Sequence, residues 1–293
     1  MLLNQIIQGL YESLSVIILF GLFSLFFHTV LFKKGFFSIP SFYDQRKWSV
    51  KNTLWCFAIF IFSVYFFSPT IAAKIIFFFK QKGYKVDIDS VEATALTQFL
   101  NCFSMLFLFI FYLSSLPKGQ VKPIFKEHSS SSHSLFYDIF IAAIVWFISF
   151  PAIISVNRTL ELVNQVVFKT PEKIQVAVEI LKNSTSSFTA MMVSLFMVLI
   201  AAPAIEEFLF RGCLQNSLRL RFGRKWGIFL ASVVFGFMHY SRYQGVTNIP
   251  LIVSLTIFSF YLGFVYEKTR SLYSSIFLHV IFNGVNVIRI LYF

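Results

Sequence analysis

Six ionisable or amide side chains stand out because apolar residues surround them. Glu206-Glu207 directly follows Ile200-Ala201-Ala202-Pro203-Ala204-Ile205, and Arg211 comes four residues after Glu207. His239 closes the run Val233-Val234-Phe235-Gly236-Phe237-Met238, while His279 and Asn283 sit inside the apolar stretch that ends the sequence. A charge at the centre of a membrane helix costs on the order of 2.5–3.5 kcal/mol on the insertion scale. Groups kept there despite that cost are suspects for function. Helix geometry sorts them. Residues four apart share a face, so Glu207 and Arg211 form an intrahelical ion pair. Glu206 points about 100° away from that face, which leaves one structural carboxylate and one free carboxylate suited to general-base work. His279 and Asn283, also four apart, project to one side. Pro203 removes a backbone hydrogen bond one turn before the carboxylates and predicts a kink that opens a polar pocket.

The elements that must hold these groups are membrane helices. The chain has 293 residues, of which 57% are hydrophobic and only 13% charged, with a mean hydropathy of +0.74 and 41 phenylalanines. Soluble domains carry about 25% charged residues. Crossing a ~30 Å hydrocarbon layer takes about 20 apolar residues, and such runs recur. They predict about eight spans: Ser13 to Phe32, Thr53 to about Pro69 or on to Phe79, Gln98 to Leu116, Tyr137 to Val156, Ser187 to Ile205 and beyond, Trp226 to about Tyr240, Pro250 to Tyr266, and Leu272 to about Tyr292. Backbone in lipid must satisfy its own hydrogen bonds, so each run is expected to be helical and the fold all-α and polytopic. Residues 1–186 would supply helices, polar loops and one interfacial helix, and residues 187–293 a catalytic core.

Depth supports the grouping. If the fifth and sixth spans form a hairpin, the midpoint between positions 206 and 239 falls at Phe222-Gly223, inside the turn candidate Arg221 to Lys225. Glu206 and His239 then lie roughly 25 Å from the turn on either side. His279 is only seven residues past Leu272, or about 10 Å in. The levels agree only if the hairpin projects beyond the membrane.

The net charge of +12 would suggest nucleic-acid binding in a soluble protein. Here the basic residues sit between apolar runs as topological anchors, and no basic stripe with stacking aromatics points to nucleic acid. The loops after the first, third, fifth and seventh spans hold 15 of the 25 Lys and Arg, which predicts an N-terminus outside. Cys56, Cys102 and Cys213 show no disulfide or zinc spacing. The polar stretch Lys118 to Ser134, with Ser129-Ser130-Ser131-Ser132 between His128 and His133, reads as a solvated loop. An amphipathic pattern around Ile174, Val178 and Leu181 predicts an interfacial helix. The absence of a basic region before Glu12 argues against a cleaved signal peptide. No GxSxG or Ser-Lys pattern suggests a serine mechanism.

Three motifs in order carry a resemblance. Glu206-Glu207-Phe208-Leu209-Phe210-Arg211 fits EExxxR, Phe235-Gly236-Phe237-Met238-His239 fits FxxxH, and His279-Val280-Ile281-Phe282-Asn283 fits HxxxN. Together, in a polytopic protein, they resemble the CPBP family of type II CAAX prenyl endopeptidases and bacteriocin-processing or immunity-type relatives, over about Ser187 to Phe293. The resemblance implies an intramembrane endopeptidase acting on lipidated or membrane-embedded peptides. Glu206 with His239 would activate a water, His279 and Asn283 would stabilise the oxyanion, and Glu207 and Arg211 would support the site. The family has also been called metalloproteases. His239, His279 and Glu206 would make a plausible zinc set, yet Asn is an uncommon ligand and HExxH is absent, so the sequence leaves metal open with a slight preference against it. The expected partners are membrane lipids and a peptide or membrane-protein substrate, with no nucleic acid. A non-proteolytic scaffold or immunity-type member is the alternative. A small transporter would show related halves or paired broken helices, and neither is present.

Overall fold

A computed structural model describes residues 2–39, 47–84, 87–126, 134–169 and 174–292, with side chains from Gly9 onward. His128, His133 and the serine run between them lie outside the described residues. The elements follow in chain order: α1 (Leu2–Lys33), α2 (Val50–Gln81), α3 (Val91–Ser114), α4 (Lys118–Phe125), α5 (Leu135–Phe168), α6 (Val176–Ser184), α7 (Phe188–Phe222), α8 (Arg224–Phe237), α9 (Asn248–Thr269) and α10 (Leu272–Tyr292). The protein is an all-α, polytopic integral membrane protein.

The starts of these helices are set by short polar side chains. Ser49, Ser90 and Ser134 each accept a hydrogen bond from a backbone N–H in the first turn, at Asn52, Ala93 and Tyr137, which satisfies an otherwise orphaned donor. α5 and α9 end at Lys169 and Arg270, both at positive φ of 50° and 55°. The left-handed Arg270 reverses the chain sharply into α10.

Among the described residues, seven helices are long and apolar enough to cross a membrane. The expected eighth span corresponds to α8, and here the sequence expectation needs correcting. α8 has 14 residues, about 21 Å of helix against a ~30 Å layer. It stops at Phe237 because the Met238 to Tyr240 segment turns. Among the described residues α8 nevertheless runs between the two ends of the bundle beside the seven longer helices. Lys268 at the end of α9 donates to the Phe36 carbonyl after α1, at 2.6 Å. Lys126 after α4 bridges to Ser271. Glu267 faces Arg219 and Arg224 at the α7–α8 turn. Those segments share one end, while Asn164 of α5 meets Val246 before α9 at the other.

Two further expectations are adjusted. Lys118 to Ser134 is not wholly loop: α4 occupies Lys118–Phe125, because Ile124 is fully buried and its carbonyl accepts the Tyr266 hydroxyl at 3.0 Å. α6 stands where the amphipathic pattern placed a helix, with Leu181 buried and Ile174 and Val176 exposed.

Both apolar cores draw on residues from either side of position 187. One joins Trp48, Cys56, Met105, Phe109 and Ile124 to Phe208, Leu209, Phe235 and Tyr266; the other joins Ile141, Val145 and Ile153 to Phe258, Leu262 and Leu278. The outward faces are apolar too, as at Leu22, Phe26, Phe103, Phe107 and Phe111, which suits a lipid solvent.

Candidate active site

α7 supplies the carboxylates, and its backbone is irregular where they emerge. Met197–Ala201 and Phe208–Gln215 are π-helical, with six α-helical residues, Ala202–Glu207, between them. Wide turns of this kind often accompany functional sites. The sequence places Pro203 inside α7, and the distortion takes the form of a wide turn just before it.

Glu207 is fully buried and Arg211 is 1% exposed. Arg211 Nε lies 3.2 Å from Glu207 Oε2, close enough for an ion pair although the N–H is not aligned as a hydrogen bond. The guanidinium is held from its other edge: Nη2 donates to the Ser259 carbonyl at 3.0 Å and to the Ser259 hydroxyl at 2.8 Å. Its face covers the Phe235 ring at 4.9 Å, a cation–π contact. The four-residue spacing thus gives the predicted pair.

The structure adds a link that spacing could not show. His279 Nδ1 lies 2.9 Å from Glu207 Oε1. A carboxylate paired with a guanidinium accepts, so Nδ1 is the donor of this bond. His279 Nε2 then faces Glu206 Oε2 at 3.9 Å. That separation exceeds a direct hydrogen bond and suits a single bridging water. Glu206 is the accessible member, with 26% of its side chain exposed, against 6% for that of His279. His279 is walled by aromatic rings, Phe258 at 5.3 Å and Phe235 at 6.0 Å, both edge-on.

His239, at the turn after α8, donates Nδ1–H to the Phe235 carbonyl at 2.8 Å, since a carbonyl can only accept. Its ring meets that of Phe235 at 4.9 Å. One aromatic ring therefore touches both histidines and the arginine. Each imidazole keeps Nε2 as its uncommitted nitrogen. Asn283, one turn beyond His279, donates Nδ2–H to the Val198 carbonyl at 2.9 Å, and its amide retains a second N–H.

The hairpin turns where its spacing placed the turn, while Glu206 meets His279 and His239 meets Phe235. The turn falls at Gly223, whose φ of 83° suits glycine. Glu267, in the last turn of α9, meets Arg219 and Arg224 on either side of the tip at Gly223. α8 lies close against α9: a Cβ on Gly236 would sit 2.7 Å from the Ile252 carbonyl.

Among the described residues no three His, Cys, Asp or Glu side chains are grouped to hold an ion. The two carboxylates share the His279 imidazole and His239 is not grouped with them, so the arrangement does not fit the zinc set His239, His279 and Glu206.

Beyond Glu207 and Arg211, several polar residues carry no motif in the sequence. Glu207, Arg211, Gln215 and Arg219 recur every four residues along α7, and Ser259, Gly263 and Glu267 do so along α9. They face one another: Gln215 Nε2 donates to the Gly263 carbonyl and to Glu267 Oε1, both at 3.2 Å. Asp138, fully buried, accepts from the hydroxyls of Ser271 and Ser274 and pairs with Lys126 at 3.5 Å. His28 accepts from Tyr261 at 2.6 Å, tying α1 to α9. The repeat of four was the available signal for the α7–α9 ladder.

Residues 188–285, which contain all six side chains singled out above, match the family model described as type II CAAX prenyl endopeptidase Rce1-like. The match supports CPBP family membership and a protease. Neither the curated proteins nor the solved structures contain a match to the chain.

Proposed function

We propose that this membrane protein, whose C-terminal region matches the Rce1-like endopeptidases, hydrolyses peptide bonds of lipidated or membrane-embedded peptides with a carboxylate-activated water. The observation that carries the reading is His279, held by Glu207 at 2.9 Å on one nitrogen and facing Glu206 at 3.9 Å on the other.

The chemistry follows from these groups. A water between Glu206 and His279 gives one proton to the Glu206 carboxylate and keeps the other as the attacking hydroxide. The hydroxide attacks the scissile carbonyl carbon. The new oxyanion accepts a hydrogen bond from the second N–H of Asn283. It accepts another from His279 Nε2 when that nitrogen carries a hydrogen, with Glu207 holding Nδ1 as the buried aspartate of a catalytic triad does. Glu206 then passes its proton to the leaving nitrogen, the C–N bond breaks, and a carboxylic acid and an amine result. Arg211 and Ser259 do not touch the reacting atoms. They hold Glu207 in place. No step involves a metal, so chelation should leave turnover unchanged; stoichiometric loss of activity with zinc release would refute this.

The test uses purified full-length protein in liposomes with quenched fluorescent peptides, one ending in a prenylated cysteine motif and one with the same sequence unmodified. Cleavage of the prenylated peptide, reduced at least ~100-fold by Glu206→Gln, supports the proposal. No cleavage of either peptide, or a Glu206→Gln variant as active as the parent, overturns it.

A further inference from the structure

Asn283 does something besides facing the reaction, and the reason lies in Pro203. In the wide turn before the carboxylates, the Ala202 N–H bonds to the Met197 carbonyl, a span of five residues. The next bond in that register would run from residue 203 to the Val198 carbonyl. Residue 203 is proline and has no N–H to give. An oxygen stranded at this depth costs free energy unless another donor reaches it. The donor is Asn283 Nδ2, at 2.9 Å from Val198 O.

From this we infer that Asn283 is a positioning residue: its amide replaces the N–H that Pro203 lacks, and so fixes the wide turn from which Glu206 and Glu207 project towards His279. The catalytic consequence rests on the proposed peptidase reading. The geometry is suited to it. Asn283 and His279 lie one turn apart on α10, so a single helix face grips α7 twice, at Val198 and at the carboxylates. Losing the first grip frees α7 to close its wide turn, and every residue after the turn then rotates relative to His279. Tightening one π turn to an α turn removes about one residue of offset, or roughly 100° of facing.

The inference makes the effects of residues 203 and 283 interdependent. Asn283→Ala strands the carbonyl, and Pro203→Ala supplies a backbone N–H that can bond it. The thermal midpoint in detergent should therefore fall by roughly 2–8 °C in Asn283→Ala, and most of that loss should disappear in Asn283→Ala/Pro203→Ala. Should Asn283→Ala fail to fold alone, recovery of a folded double variant reads the same way. Turnover across pH separates positioning from oxyanion donation. Loss of a donor lowers the rate by a constant factor at every pH. Loss of the Glu206–His279 geometry also displaces the profile, and Asn283→Ala should show that displacement. Equal stability losses from Asn283→Ala with and without Pro203, or an undisplaced profile, would overturn the inference. The thermal measurement needs no activity, so a protein that cleaves nothing would refute the peptidase reading while still testing the cap.

Discussion

At the scale of single residues, Glu206 and Glu207 show how one shared neighbour divides two adjacent carboxylates. Glu207 is sealed between Arg211 and His279, whereas Glu206 keeps a quarter of its side chain exposed. Glu206→Gln is isosteric and should abolish turnover with the thermal midpoint within a few degrees of the parent. Arg211→Ala strips a buried ion pair of one partner and should cost about 3–5 kcal/mol of stability. Ser259→Ala tests the chain of contacts from its far end. It removes the 2.8 Å bond to Arg211 Nη2 while the carbonyl bond remains, so a loss of about 1 kcal/mol is expected, with KM little changed and kcat lowered. If Ser259→Ala changes KM alone, Ser259 contacts substrate instead. The Glu207–Arg211 pair was legible in the sequence because four-residue spacing on a helix is a local rule. The Glu207–His279 bond was not, because it joins positions 72 apart, and no periodicity reports which helices are neighbours. Asn283 was legible as a site residue but not as a cap, since its partner is a main-chain oxygen without any sequence signature.

At the scale of elements, the apolar runs located every long helix, and the basic turn placed the α7–α8 hairpin at Gly223. Boundaries were less visible where a helix end depends on tertiary contacts. α4 forms inside a polar stretch because Ile124 and the Tyr266 hydroxyl hold it, and α8 stops short within a run that stays apolar to Met238. The packing of α8 on α9 relies on Gly236, where an added Cβ would be 2.7 Å from the Ile252 carbonyl. Gly236→Leu should force the two helices apart, shift His239, and lower both stability and turnover. Gly236→Ala should do so more weakly. Detergent thermal melts with parallel activity assays would show it, and a Gly236→Leu variant with parental stability would refute the close approach.

At the scale of the whole molecule, the basic loops share one end of the bundle, where Lys126, Arg219, Arg224 and Lys268 all lie. The positive-inside rule predicts that end to be cytoplasmic and the N-terminus outside. Single cysteines at Lys126 and Gly223, in a background cleared of Cys56, Cys102 and Cys213, should be labelled only from the cytoplasmic side. Labelling of either by an impermeant reagent from outside would reverse the orientation. Seen from the lipid, the brevity of α8 has a mechanical meaning. Its outer face, with Trp226, Phe229, Val234 and Phe237 exposed, offers the acyl chains only 14 residues, and the polar segment from His239 to Gln244 begins where a full-length span would still be apolar. Acyl chains beside it must shorten, and headgroups sink towards the protein, in a dimple of mismatch. Such a dimple would bring bulk water towards His239 from the face opposite the basic loops, so in the proposed peptidase reading the nucleophile enters from one side of the bilayer while the positively charged rim faces the other.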